Sequence, residues 1–77
     1  MKDVLEYIAR AVVDDPDAVE VTEVAGERSM ILQLKVAPDD MGKVIGKRGR
    51  TVRAIRSLVR AAGSRQGVTT LVEILEE

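Results

Sequence analysis

The stretch that most limits what this chain can become is 44-VIGKRGRTVRAI-55, in which two glycines bracket a Lys-Arg pair between two helical patterns. Gly46 suits the end of one helix, where a residue without a Cβ takes positive φ at little cost. Gly49 suits the start of the next and lets another backbone come close. Lys47 and Arg48 then occupy a short exposed turn at a helix N-terminus, where free N–H groups and the helix dipole already favour an anion. Two cations added there make the loop a phosphate clamp. Val44 and Ile45 offer apolar surface beside it, against which bases can lie without aromatic rings. A lone GxxG most often marks an ordinary solvated turn. The whole string V-I-G-x-x-G-x-x-V-x-x-I, placed between two helices and after a hairpin, is far more specific.

The rest of the pattern supplies that setting. Val4, Leu5, Ile8, Ala11 and Val12 recur at helical spacing, and Asp15-Pro16 ends the run because the residue before proline avoids the α region. Residues 18–24 alternate as a strand, and Ala25-Gly26-Glu27-Arg28 reads as a hairpin turn. Residues 29–36 form a second strand, with Met30, Leu32, Leu34 and Val36 on one face and Ile31, Gln33 and Lys35 on the other. Pro38-Asp39-Asp40 reads as a helix start, with proline in the first turn and acids near the positive end of the dipole. That short helix ends at Gly46. The next runs from near Gly49 to about Ala62, with Gly63 expected to stop it, and residues 68–75 give a third strand. The order α-β-β-α-α-β predicts one α+β domain over residues 1–77, a three-stranded sheet with three helices packed on one face.

The charge pattern points the same way as the loop. The net charge is −1, yet residues 41–66 hold eight cations and no acid, leaving four cations against all thirteen acids elsewhere. Such segregation marks a surface for a polyanion. Tyr7 is the only aromatic residue, which disfavours the folds that stack bases on aromatic platforms, namely the four-stranded ribonucleoprotein sheet, the cold-shock barrel and the OB-fold.

Other chemistries are excluded by what is missing. With no Cys and no His, disulfides, thiolates and the usual zinc or iron ligand sets are out of reach, and no metal or other cofactor is expected. The segment 42-GKVIGKR-48 misses a phosphate-binding P-loop, which needs four residues between its glycines and Ser or Thr after the Lys. Ser29, Ser57 and Ser64 have no histidine to activate them. No residue is assigned a catalytic role, and no enzyme is expected. Cysteine absence suits a reducing cytoplasm. No apolar run approaches the roughly 18 residues of a membrane span. The acids within the first apolar stretch do not suit a signal peptide, so a cytoplasmic location is expected.

The helix after the loop carries an apolar arc of about 180°, wider than the stripe one core contact needs. Val52, Ile55 and Val59 can face the sheet. Ala54, Leu58 and Ala61 form a second stripe, covered either by another helix of the chain or by a second molecule. Two small residues around Leu58 would allow close helix approach, and a domain this small gains from a partner. Arg50, Arg53, Arg56 and Arg60 fill the opposite arc. Arg50 and Arg53, nearest the loop, and Lys43, just before it, are the expected additional contacts.

The segment 44-VIGKRGRTVRAI-55 resembles the signature of the KH domain, whose GXXG loop clamps the backbone of about four nucleotides. Only two residues follow Leu75, so the αβ extension lies on the N-terminal side, as in the type II arrangement. The helix ending at 14-DDPDAVEV-21, the run 38-PDDMGKVIGKRGRTVRAIRSLV-59 and the short last strand are similar to the small, single-domain bacterial KH RNA-binding proteins of the KhpA family. The resemblance implies that Gly46, Lys47, Arg48 and Gly49 form a clamp for single-stranded RNA with little sequence specificity. Val44 and Ile45 would line the nucleotide groove, with Val52 and Ile55 mainly in the core. It also implies a homodimer, or a heteromer with a larger KH-domain partner (KhpB), acting in post-transcriptional regulation, as an RNA chaperone, and in cell division and cell shape.

Overall fold

The computed structural model describes residues 1–75. Helix α1 spans Lys2–Val12, strand β1 Glu20–Ala25, strand β2 Ser29–Lys35, helix α2 Met41–Ile45, helix α3 Arg50–Arg65 and strand β3 Thr69–Ile74. Short 3-10 turns at Pro16–Ala18, Pro38–Asp40 and Lys47–Gly49 join them. The expected order of elements is therefore the observed one.

Strand β2 is central. It pairs antiparallel with β1, Leu34 opposite Val21 and Leu32 opposite Glu23, through a turn closed by the Gly26 N–H donating to the Ser29 carbonyl at 2.9 Å. It pairs parallel with β3, Leu32 beside Val72, because the intervening residues contain both later helices and form a crossover. Alternation then sorts the side chains. Val21, Leu32, Leu34, Val36 and Val72 turn inward and are buried together with Leu5, Ala9 and Val13 of the first helical segment and Val44, Ile55 and Val59 of the later helices. The opposite face of the sheet stays open, with Val24 and Leu71 exposed.

Two local expectations need correction. Gly63 does not stop α3, which continues to Arg65. It is buried against β3, where an added Cβ would lie 2.9 Å from the Val68 carbonyl oxygen and 3.1 Å from the Thr70 Cβ. The glycine serves close packing of helix on strand. The left-handed residue that turns the chain is Gly67, at φ 73°.

Asp40 also does different work from that expected. Its side chain makes no cap at the start of α2. It is 3 % exposed and accepts hydrogen bonds from the backbone N–H groups of Asp14 at 3.2 Å and Asp15 at 3.1 Å. Lys43 pairs with Asp14 and lies 3.8 Å from the same buried carboxylate. This cluster fastens the end of α1 to the base of α2, and so fixes where the glycine loop leaves the body.

Candidate nucleic-acid interface

The loop is built by backbone geometry that its sequence permits. Gly46 has φ 75° and ψ 173°, a region open essentially to glycine alone. Its N–H donates to the Gly42 carbonyl at 2.8 Å, closing α2. A Cβ at this position would lie 2.7 Å from the Thr51 Cβ and 2.9 Å from the Thr51 backbone nitrogen, so Thr51 packs directly beneath it. Gly49, at φ 73° and ψ 16°, is left-handed and starts α3. Its nearest neighbour for an added Cβ is a Val52 methyl at 3.9 Å, so conformation and not space demands glycine here.

Between them, Lys47 and Arg48 open a 3-10 turn, so their N–H groups have no acceptor within it. Arg48 has φ 57° and ψ 25°, the only non-glycine residue with positive φ among the described residues. Both side chains are exposed, and neither forms an ion pair with an acid among the described residues. Arg50 is exposed as well. Arg53 is exposed but engaged: its Nη2 donates to the Arg48 carbonyl at 2.7 Å and its Nε to the Gly49 carbonyl at 3.3 Å.

Other expected contacts are placed differently. Val44 is completely buried in the core, because it lies on the inner side of the one-and-a-half-turn helix α2; it supports the loop from behind and lines no groove. Ile45 is half-buried and remains available beside the loop. Lys43 is exposed, but Asp14 and Asp40 occupy its ammonium group. The hydrogen bond with Asp14 is the main cause of a pKa raised above its ordinary 10.5. Arg56 reaches the other way, with Nε donating to the Val72 carbonyl of β3 at 3.3 Å.

The second stripe of α3 is uncovered. Leu58 is 58 % exposed, Ala54 and Ala61 are exposed, and a shallow hollow beside Leu58 is lined by Ala61, Ala62, Arg65 and Gln66. Val52, Ile55 and Val59 face inward as expected. Sequence reasoning missed Thr51 and Asp40. A threonine two residues after the second glycine carries no signal of its own, whereas an acid directly before a helix was visible but pointed to the wrong partner. Among the described residues no group of acids has the spacing of a metal site, and no helix is long and apolar enough to cross a membrane.

An α+β body in which a tight GXXG turn joins two helices after a β-hairpin, with a parallel third strand, is the type II KH arrangement. Comparison with known proteins agrees. The profile of the family described as KhpA/KhpB, KH domain, matches residues 2–74, and the chain belongs to that family. The family is defined by a KH domain and not by a reaction. The chain is 56 % identical over 75 residues to the RNA-binding protein KhpA of Clostridium acetobutylicum, covering 97 % of this chain and 100 % of the relative. It is 45 % identical to the RNA-binding protein KhpA of Aquifex aeolicus, over 99 % of this chain and 96 % of that one. In structure it is similar to part of Aquifex aeolicus Era, with a TM-score of 0.63 over 99 % of this chain and 31 % of the other, at 14 % identity, a likeness of fold alone.

Proposed function

We propose that the protein binds single-stranded RNA through the loop Gly46–Gly49, without catalysis and with little sequence specificity. The observation that carries this is the state of Lys47 and Arg48: two exposed cations, free of acids among the described residues, whose own N–H groups open the turn without an acceptor inside it. A sugar–phosphate strand presents the complementary pattern, one negative group per nucleotide with strong acceptor oxygens. Arg50 extends the cationic track, and Ile45 gives the bases an apolar neighbour. Backbone contacts position a strand but read no bases, which is the reason for low specificity. RNA is favoured over DNA because the relatives sharing about half of the sequence are named RNA-binding proteins.

The assembly we propose is a homodimer, or a heteromer with a larger KH-domain protein, formed through Ala54, Leu58 and Ala61. Two clamps on one particle would raise the affinity for a single strand by avidity. Post-transcriptional regulation or RNA chaperoning in the cytoplasm, bearing on cell shape and division, is the role that fits such a module. The exposed Leu58 stripe favours a second reading, a dimerising adaptor in which RNA binding is secondary. Lys47→Asp combined with Arg48→Asp separates the two. Loss of RNA retention in a filter-binding assay, with dimerisation intact by light scattering, supports the clamp; RNA retained at wild-type affinity rules it out.

A further inference from the structure

We infer that Arg53 is a positioning residue for the loop and makes no phosphate contact of its own. This rests on the reading of the loop as an RNA clamp. Arg48 and Gly49 are two successive left-handed residues, and the first carries a Cβ, so this backbone conformation is not one that Arg48 prefers. Such strain persists only where neighbours over-determine it. Arg53, one helical turn into α3, supplies that constraint: a single planar guanidinium takes the Arg48 carbonyl at 2.7 Å and the Gly49 carbonyl at 3.3 Å. Helical spacing brings the residue at 53 over the residue at 49, and the length of arginine reaches one residue further back. The fork joins two acceptors at fixed separation, which a lysine ammonium does not reproduce.

Two consequences follow for binding. The turn is held ready, so the strand does not meet the cost of ordering it. The guanidinium also offsets the negative ends of two carbonyl dipoles beside the place where a phosphate would arrive. Arg53 thus acts on RNA through Arg48 and Gly49.

The test compares Arg53→Met and Arg53→Lys with the wild type, using Lys47→Ala as a reference for a direct contact. Both substitutions are at an exposed position and keep good helix formers, and urea unfolding of each verifies that the domain stays folded. The first measurement needs no RNA: backbone order parameters of residues 47–49 by 15N relaxation on the free protein. They are expected to fall in both variants. Unchanged order in either variant overturns the inference, whatever happens to RNA binding. The second measurement is the affinity for an unstructured oligoribonucleotide across a salt series. Arg53→Met is expected to bind about fivefold more weakly, the cost of a less populated competent loop, with the slope of log K against log salt unchanged. Lys47→Ala is expected to make the slope shallower by about 0.7, the value of one released counterion on a single strand. A slope that flattens by the same amount in Arg53→Met identifies Arg53 as a phosphate contact and overturns the inference, as does unchanged affinity. Should the wild type itself retain no RNA, the clamp reading fails, while the relaxation data still decide whether Arg53 orders the loop.

Discussion

At the scale of single residues, the two glycines of the loop are unequal although the motif writes them alike. Gly46 faces both a forbidden conformation and the Thr51 backbone, whereas Gly49 has only its left-handed φ to defend. Gly46→Ala is therefore expected to lower stability by about 2–3 kcal/mol, and Gly49→Ala by about 1 kcal/mol. Urea titrations of the two variants check the order. Asp40 is the second case. Its removal in Asp40→Ala leaves two backbone N–H groups without their acceptor, for an expected loss of about 2 kcal/mol. Thr70 runs the other way: its buried hydroxyl has no partner among the described residues, so the isosteric Thr70→Val is expected to be neutral or stabilising by up to about 1 kcal/mol in the same assay. The need for glycine at 46 was legible in the sequence because positive φ at a helix end is a backbone matter, whereas at 49 the expected close approach of another backbone is absent and the left-handed φ is the reason for glycine. The partners of Asp40 were not legible, since residues 14 and 15 lie some twenty-five positions away and only packing brings them together.

Among elements, α3 joins the two proposed activities. Its first turn frames the loop, its inner side carries Val52, Ile55 and Val59 into the body, and its outer side leaves Leu58 in water. Leu58→Asp is expected to yield a folded monomer, because the substitution alters no buried contact within the chain while placing a charge in the proposed interface. Light scattering at micromolar concentration checks it, and a wild-type protein already monomeric there would remove the homodimer and leave the heteromer as the proposed assembly. Helical periodicity showed the two stripes correctly, since burial on one helix face needs only local spacing. It could not show where α3 ends. Gly63 looks like a stop in sequence and is instead a point where the helix packs too closely on Val68 and Thr70 to admit a Cβ. The same locality explains Val44. On so short a helix as α2, periodicity does not say which of two adjacent apolar residues turns inward.

For the whole molecule, the separation of charge along the chain becomes a separation of roles. The acid-free segment supplies the loop and α3, and the acids lie mainly on α1, the turns and the strands. With Lys47, Arg48 and Arg50 displacing counterions, the RNA affinity is expected to fall with a log–log salt slope of about −2, measurable by fluorescence anisotropy. Lys43 is an exception to this division, a cation of the basic segment held by acids of the other. Its pKa is raised, so its pairing contributes below its ordinary 10.5 and is lost as pH climbs through the higher folded value. The urea midpoint is accordingly expected to drop above pH 10.5 more in the wild type than in Lys43→Met. The amino-acid sequence alone determined the element order, the inward faces of β2 and α3 and the glycine loop with its Lys-Arg pair, because each depends on residues within a turn or two of one another. That Lys47 and Arg48 meet no acid among the described residues was settled by the tertiary structure. Only the tertiary structure decided that β2 is central, that Val44 is hidden, that Lys43 is occupied and that Arg53 bends back onto the loop. Those outcomes depend on which surfaces meet when distant segments close on a common core, and local patterning does not encode that.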